Sequence, residues 1–304
     1  MKYNKPYVSI FIPTFNDRTD LYGCIESICS LDYPKNRMEV MVWDNGSEDG
    51  SDRMVRDRFK EMESDRWLNL KLIEWNRNEG SYIPYNLAVP YFSSDTQYIF
   101  GLDADVELSL DALSIMVEAA EEDDVAVVGG RSVYFDHPDK TSHGAGFVDR
   151  WTALLSEKDA RGQIKCDYVI GCCWLLKRRV FDRLGGFAPD YYINHWEVDY
   201  CVRAKQNGYK IIYEPGAIAK HKIQMHGTVT PERIYYLYRN KLLLVRKNQM
   251  FFRLPWALFS CVGTSVAKLP FLSITRMTWM QTRAALKGIF DGIRGITGQT
   301  FRRD

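Results

Sequence analysis

Several widespread sequence signatures are absent from this chain. Neither G-x-x-x-x-G-K-[ST] nor G-x-G-x-x-G occurs, so the usual P-loop and dinucleotide fingerprints are excluded. The seven cysteines have no framework spacing and no C-x-x-C pair, which fits a reducing compartment. Residues 1–6 lack the apolar stretch that a secretory signal requires, so we expect a cytoplasmic protein.

Charge is nearly balanced overall but unevenly distributed. The net charge of the 304 residues is +1, yet residues 231–304 hold 13 Lys/Arg and 3 Asp/Glu, a net of +10 that leaves −9 for residues 1–230. A basic tail on an acidic body predicts that the tail faces an anionic surface. Because the tail is apolar and contains no RNA- or DNA-reading motif, nucleic-acid binding is not expected.

The tail also lacks a clear membrane span, although residues 254–272 are mostly apolar. A span needs about 20 predominantly apolar residues, and Pro255, Pro270 and several Ser/Thr interrupt this stretch. The flanking Arg253, Arg276 and Trp279 favour helices that lie in the headgroup region at the cytoplasmic face of a membrane. The alternative is a helical subdomain that packs on the body and exposes a basic face.

In the body, short β-rich apolar runs alternate with segments of helical spacing. Strands are predicted at residues 7–13, 38–43, 70–75 and 97–102. Helices are predicted at residues 18–31, 52–59 and 85–91. This alternation predicts an α/β domain with a mostly parallel sheet, whose ligands bind outside the carboxyl ends of the strands.

One of those strand ends carries Asp103-Ala104-Asp105, two carboxylates one residue apart. A tight turn there can aim both carboxylates at one divalent cation that carries a diphosphate, and Mg²⁺ or Mn²⁺ suits such hard oxygen ligands. Taken alone, a D-x-D pair more often belongs to an ordinary loop, so the neighbouring sequence has to decide whether this pair binds a metal.

That context resembles family 2 glycosyltransferases of the GT-A fold, a Rossmann-like nucleotide-diphospho-sugar transferase fold. The matching blocks follow in the family's order over residues 7–221: 8–16 (V-S-I-F-I-P-T-F-N), 43–51 (W-D-N-G-S-E-D-G-S), Asn78-x-Gly80, 102–105 (L-D-A-D), Gly185-Gly186-Phe187, 197–203 (E-V-D-Y-C-V-R) and His221. In the tail, Tyr238-Arg239-Asn240 and residues 292–298 resemble bacterial rhamnosyltransferases.

The resemblance implies an inverting, metal-dependent glycosyltransferase. Its donor would be a UDP- or dTDP-sugar, dTDP-rhamnose among them, and its acceptor a hydroxyl of a glycan or a lipid-linked glycan. It also implies a catalytic domain over residues 1–230, with a nucleotide-binding half (1–105) and an acceptor half (106–230). Residues 231–304 would be a helical, basic, amphipathic extension that contacts an anionic membrane.

The resemblance implies roles for individual residues as well. Those expected to bind the nucleotide are Pro13, Thr14, Phe15, Asn16, Asp44, Asn78, Gly80 and Asp103. Those expected to hold Mn²⁺ or Mg²⁺ are Asp103, Asp105 and His221, with His226 as the alternative histidine.

The general base is expected where the family has Glu-Asp-x-Asp. This chain has Trp196-Glu197-Val198-Asp199, so Glu197 occupies the position of the base and Trp196 replaces the acidic residue before it. Asp199 is the expected supporting acid, paired with Arg203 four residues further along a helix. An aromatic wall for a sugar acceptor is a weaker hypothesis, because aromatic residues at this spacing more often form core: Trp174, Phe187, Tyr191, Tyr192 and Trp196.

Three other functions remain open at this point. A polyprenyl-phosphate glycosyltransferase would have a phosphate acceptor that needs no base. A nucleotidyltransferase would also present acids to a metal and a nucleotide, but would release pyrophosphate. A degenerate sugar- or nucleotide-binding module would have lost catalysis, with Trp196 as the mark of that loss.

Overall fold

The computed structural model describes residues 5–80, 82–149, 151–225, 229–248, 254–267 and 276–301. The strands are β1 Val8–Thr14, β2 Met38–Asp44, β3 Asn69–Glu74, β4 Tyr98–Leu102, β5 Val106–Leu108, β6 Val125–Tyr134, β7 His137–His143, β8 Ala145–Val148, β9 Leu155–Lys158, β10 Ile164–Cys166, β11 Cys173–Lys177 and β12 Lys210–His221. The α-helices are α1 Arg18–Cys29, α2 Ser51–Met62, α3 Ile83–Ala88, α4 Ala112–Ala119, α5 Arg178–Leu184, α6 Trp196–Gln206, α7 Pro231–Lys247, α8 Leu254–Ala267 and α9 Arg276–Arg294.

A central sheet organises the body in the strand order β10-β12-β6-β11-β4-β1-β2-β3. Strands β3, β2, β1 and β4 are parallel, so their carboxyl ends meet at one edge of the sheet. Strand β11 pairs antiparallel with both β4 and β6, which makes the whole sheet mixed rather than mostly parallel. The predicted α/β architecture is confirmed, with helices on both faces.

The alternation of side chains along β1 and β2 explains why both faces are covered. Val8, Ile10 and Ile12 point into one core, which also contains buried residues of α1, α2 and α4. Phe11 and Trp43 point into the second core, which also contains residues of α3, α5 and α6. Strands that are buried on both faces read as continuous apolar runs, as these do.

Strand β12 connects the two halves of the chain at the functional edge. It runs parallel to β6 as far as His221, with an irregularity between Glu214 and Ile218. Pro215 and Gly216 interrupt the β pattern of this segment, so the local sequence does not indicate a strand of this length. Strand β5 pairs antiparallel with the end of β12, and His221 is opposite Val106 in this register. This pairing brings His221 next to the turn that contains Asp103 and Asp105.

The C-terminal region is helical, as predicted, and α7 packs tightly on the body. Leu243 and Leu244 of α7 belong to the core beneath α3 and α6, and Tyr235 donates a hydrogen bond to Asp291 of α9 at 2.7 Å. Within the described residues, no helix has the length and apolar character needed to span a membrane. The division at residue 230 remains a prediction.

Candidate active site

A cavity of about 340 Å³ opens at the carboxyl ends of the parallel strands. Its lining residues come from the end of β1, from the loops after β1, β2, β3 and β4, and from the segment before α6: Pro13, Thr14, Phe15, Asp17, Asn45, Asn78, Gly80, Asp103, Ala104, Asp105, Tyr192 and Ile193. The location is the one that the α/β topology predicts for a ligand. Seven of the expected site residues therefore line one cavity.

Two polar side chains of this lining are buried and available to a ligand. Thr14 Oγ1 and Asn45 Oδ1 have no hydrogen-bond partner in the described part of the chain. A buried polar atom without a partner is destabilising unless something else satisfies it, so both atoms fit a ligand that fills the cavity. Asn45 was not predicted, since its Asp-Asn-Gly context indicates only a turn.

Three expected nucleotide contacts accept hydrogen bonds from residues of the same loop or of the neighbouring loop. Asp44 is 3% exposed, and its Oδ1 accepts hydrogen bonds from the backbone N–H and the hydroxyl of Ser47 at 2.9 and 2.6 Å. Asn16 Oδ1 accepts from the Glu48 N–H at 2.8 Å, and Asn78 Oδ1 accepts from the Gly80 N–H at 2.8 Å. These bonds shape the loops, and the nucleotide-contacting role of these residues remains a prediction.

The three expected metal ligands meet at one point beside the cavity. Ligand atoms of Asp103, Asp105 and His221 all lie within 4.8 Å of one another. His221 Nε2 is 3.2 Å from Asp105 Oδ1 and 4.0 Å from Asp103 Oδ2. The Lys222 N–H donates to the Asp105 carbonyl at 3.0 Å, so backbone pairing also fixes this geometry. The alternative ligand His226 lies outside the described residues.

The electrostatics of this cluster favour a bound cation. Desolvation raises the pKa of Asp103 to about 6, although 46% of its side-chain surface is exposed. Burial lowers the pKa of His221, but the hydrogen bond and charge of Asp105 and the charge of Asp103 outweigh burial and raise it overall. A divalent ion would satisfy both carboxylates and bind the neutral imidazole.

His143 also belongs to this region, although no motif marks it. Its ring centroid is 6.1 Å from that of His221, and its Nδ1 is 3.3 Å from Glu157 Oε2. Strand β7 places it there by pairing with β6 beside β12, which is a tertiary relationship that the sequence pattern does not show.

Glu197 lies in the first turn of α6 and is 8% exposed. Its Oε2 has no hydrogen-bond partner among the residues described. Burial raises its pKa to about 7, and the charge of Asp103 acts in the same direction. A carboxyl group with these properties is ionised in part near neutral pH and can accept a proton, which is what a general base requires.

The acid two residues later has a different environment. Asp199 is 1% exposed and accepts hydrogen bonds from Tyr191 at 3.1 Å, Arg203 at 2.8 Å and Asn248 at 3.1 Å. The pairing with Arg203 is the one that the helical spacing predicts. Because both carboxylate oxygens accept hydrogen bonds, Asp199 anchors α6 to the residues around it.

The expected aromatic wall is core apart from one residue. Trp174, Phe187, Tyr191 and Trp196 are buried in the second core, whereas Tyr192 lines the cavity. Trp174 and Phe187 stack at 5.4 Å with an interplanar angle of 10°, and Trp196 meets both edge-on. The indole that replaces the family's acid therefore packs in an aromatic cluster.

The profile of "Glycosyl transferase family 2" matches residues 9–185, which is more than half of the chain. The chain belongs to this family. The family 2 match covers the strands and loops that build the cavity, up to the end of α5. The chain is thus a glycosyltransferase.

Curated relatives agree with the family 2 assignment. The chain is 26% identical over 222 residues to glycosyltransferase AglE of Haloferax volcanii. This match covers 73% of this chain and 69% of that protein. It is 22% identical over 260 residues to dTDP-rhamnosyl transferase RfbF of Shigella flexneri. This match covers 80% of this chain and 83% of that protein. It spans about two thirds of the length of several curated relatives.

The fold is also similar to that of mannosyltransferase PcManGT from Pyrobaculum calidifontis, solved in complex with GDP-Man and Mn²⁺. The TM-score is 0.63 at 18% sequence identity, and the match covers 95% of this chain and 88% of that one. At this level of identity the likeness supports the fold alone, and it confirms the predicted GT-A architecture.

Proposed function

We propose that this family 2 glycosyltransferase is metal-dependent and inverting, with a UDP- or dTDP-sugar as donor and a hydroxyl of a glycan or lipid-linked glycan as acceptor. One observation carries the proposal: the Asp103, Asp105 and His221 ligand atoms lie within 4.8 Å of one another beside the cavity, and the charge of Asp103 reaches the buried carboxyl group of Glu197. The similarity to RfbF supports dTDP-rhamnose as a donor to test.

The donor set fits a divalent ion of the Mn²⁺ or Mg²⁺ type. Two carboxylates suit either ion, and the imidazole nitrogen of His221 favours Mn²⁺ over the strictly oxygen-preferring Mg²⁺. The mutual proximity of the acids, which helps to raise the pKa of Asp103, is the electrostatic problem that such an ion relieves. When bound, the ion would supply positive charge to offset the negative charge that develops on the departing diphosphate.

The remaining chemistry belongs to residues of the chain. Thr14 and Asn45 offer buried polar atoms to the nucleotide, and Asp103, Asp105 and His221 would hold the ion to which the diphosphate binds. Glu197 takes the proton of the acceptor hydroxyl, and the hydroxyl oxygen attacks the anomeric carbon. The bond to the diphosphate breaks, and the nucleoside diphosphate leaves with the electron pair. A single displacement of this kind inverts the anomeric centre.

A thermal-shift experiment tests the donor site. UDP, dTDP, GDP and CMP are each added with Mn²⁺ or with EDTA, to the wild type and to Asp105→Asn. We expect one nucleoside diphosphate to raise the melting temperature only with Mn²⁺, and the shift to disappear in Asp105→Asn. A nucleotide shift of equal size in EDTA would contradict metal dependence.

The polyprenyl-phosphate alternative differs in its need for a base. A phosphate acceptor is already ionised at neutral pH, so its transfer does not need Glu197. The buried carboxyl group of Glu197, with one oxygen unpartnered in the described structure, favours the hydroxyl acceptor. Glu197→Gln with wild-type turnover of a polyprenyl phosphate acceptor would favour the alternative.

We also propose that the C-terminal helices contact an anionic membrane, where a lipid-linked acceptor would be found. Large apolar side chains are exposed on α8 and α9, and the exposed face of α9 also carries the basic residues Arg283, Lys287 and Arg294. The apolar side chains and their exposed fractions are Trp256 (55%), Phe259 (73%), Trp279 (66%), Leu286 (59%) and Phe290 (57%). An exposed face that mixes aromatic and basic residues suits the interface of a bilayer with anionic lipids.

Vesicle sedimentation tests this contact. Because apolar burial and attraction to anionic lipid both contribute, we expect binding to phosphatidylglycerol vesicles that falls with added salt, and weak binding to phosphatidylcholine. Phe259→Ser together with Trp279→Ser should reduce binding at least tenfold, while Tyr22→Ser, an exposed tyrosine of α1, serves as the matched control. Equal binding by the two variants would exclude this surface.

A further inference from the structure

The segment between α5 and α6 carries two parts of the site on an unusual backbone. Tyr192 and Ile193 line the cavity, and Glu197 follows in the first turn of α6. Between them, Asn194 and His195 have positive φ angles of 62° and 66°. The left-handed region is uncommon for residues other than glycine. Asn and His adopt it more readily than most, but two such residues in succession still cost free energy that the surrounding structure has to offset.

Helix α7 supplies the contacts that hold this backbone. Asn240 is fully buried, and its Nδ2 donates to the carbonyl oxygens of Ile193 at 2.7 Å and Asn194 at 3.0 Å. The Nε of the equally buried Arg239 donates to Asn240 Oδ1 at 2.9 Å, which fixes the orientation of the amide. Both donors of Asn240 are thereby directed at the peptides that lead into the left-handed turn.

Further contacts between α7 and this segment lie on both sides of Asn240. The ring of Tyr236 is 5.2 Å from that of Tyr192, and Arg239 Nη2 donates to the Asp190 carbonyl at 3.3 Å. After the end of α7, Asn248 Nδ2 donates to Asp199 Oδ1 at 3.1 Å. These contacts attach the helix to the segment before and after Glu197.

We propose that Asn240 is a positioning residue for glycosyl transfer: it holds the left-handed Asn194–His195 turn and thereby directs Glu197 at the acceptor. The proposal rests on the proposed role of Glu197 as the general base. Without the two hydrogen bonds from the Asn240 side-chain amide, the turn relaxes to ordinary backbone angles, and the first turn of α6 moves with it. A displacement of about 1 Å at a reacting group can reduce a rate by about a hundredfold.

The test compares substitutions on the same helix that remove hydrogen bonds to different partners. Asn240→Asp keeps the oxygen that accepts from Arg239 but cannot donate to the two carbonyls when it is ionised. Asn240→Leu removes the same donors without adding a charge, in case the aspartate prevents folding. The matched control is Tyr235→Phe, which is also fully buried on α7 and loses its bonds to Asp291 and Thr300 instead.

Three quantities are measured for each variant. They are the Kd of UDP or dTDP with Mn²⁺, the kcat for release of that diphosphate from its sugar with water as acceptor, and the pH dependence of kcat. Since the cavity is built mainly by the sheet edge, we expect the Kd to change less than threefold in the Asn240 variants. We expect kcat to fall ten- to a hundredfold, while Tyr235→Phe retains wild-type kcat.

The pH profile separates positioning from a general loss of structure. Glu197 is buried and lies within the electrostatic influence of Asp103, Glu157 and Arg233. Loosening the turn admits water to its carboxyl group, so the ascending limb of kcat should move to lower pH in the Asn240 variants. Tyr235→Phe should leave the limb where it is in the wild type.

Two outcomes overturn the proposal, and Glu197→Gln distinguishes them. Wild-type turnover in Glu197→Gln would overturn the base assignment and this proposal with it. Loss of turnover in Glu197→Gln, with Asn240→Leu matching Tyr235→Phe in kcat and pH profile, would overturn the positioning role alone.

Discussion

The buried carboxyl group of Glu197 predicts how the rate depends on pH. Its pKa of about 7 replaces an ordinary value of 4.5, because burial penalises the charged form and the charge of Asp103 adds to the penalty. A general base acts only when it is ionised. With a pKa near 7, about half of the enzyme is active at pH 7, about a tenth at pH 6 and about 1% at pH 5.

The assay is release of the nucleoside diphosphate from its sugar between pH 5 and 9, with the donor saturating. Protonation of His221 competes with the metal at low pH, so Mn²⁺ must be titrated to saturation at each pH. We expect log kcat to rise with unit slope up to about pH 7 and then to level off.

Two substitutions identify the group responsible. Glu197→Asp keeps a carboxylate one methylene shorter and should keep an ascending limb at reduced kcat. Glu197→Gln cannot accept a proton, so it should lose turnover by about a hundredfold or more and show no limb near pH 7. A wild-type profile that is flat between pH 6 and 8 would refute the reasoning, because a base of pKa 7 cannot produce it.

Two further substitutions are informative. Because the pKa of Glu197 is higher in the folded protein, the stability that its neutral form contributes is complete below about pH 4.5 and is lost as pH rises through 7. Glu197→Gln should therefore raise the free energy of unfolding by about 3 kcal/mol at pH 8 but not at pH 4, measured by urea denaturation; equal gains at both pH values would contradict this. Gly80→Ala places a Cβ 3.2 Å from the Tyr192 carbonyl oxygen at a φ of +81°, so it should cost about 1 kcal/mol or more of stability and weaken binding of UDP or dTDP with Mn²⁺, measured by calorimetry. Wild-type affinity in Gly80→Ala would show that this loop does not contribute to the donor site.

The first half of the fold could be predicted because local signals there agree with one another. The apolar runs at β1, β2 and β4 each end in a polar loop, and the intervening segments have helical spacing. Parallel strands place such loops at one edge, so the cavity residues Thr14, Asn78 and Asp103 follow from the pattern and the topology together. Individual hydrogen bonds do not follow, since Asp44 has the same loop context and is bonded to Ser47.

The second half depends on pairings that no local pattern specifies. His221 reaches Asp105 because the short strand β5 pairs with the end of β12, and only the family resemblance predicted this from sequence. His143 reaches the same region through the pairing of β7 with β6, and no motif indicated it. Contacts between distant strands are set by the whole sheet, so sequence spacing alone cannot identify them.

The replacement of an acid by Trp196 shows why a sequence motif must be interpreted together with the packing of its side chains. By motif alone, a missing acid suggests lost catalysis. In the structure, the indole fills an aromatic cluster with Trp174 and Phe187, while the next residue, Glu197, keeps a buried carboxylate with one oxygen unpartnered in the described residues. A second acid at position 196 would have to be buried among these rings at a considerable energetic penalty. The substitution therefore favours a single base with a raised pKa, and this is the property that the pH profile measures.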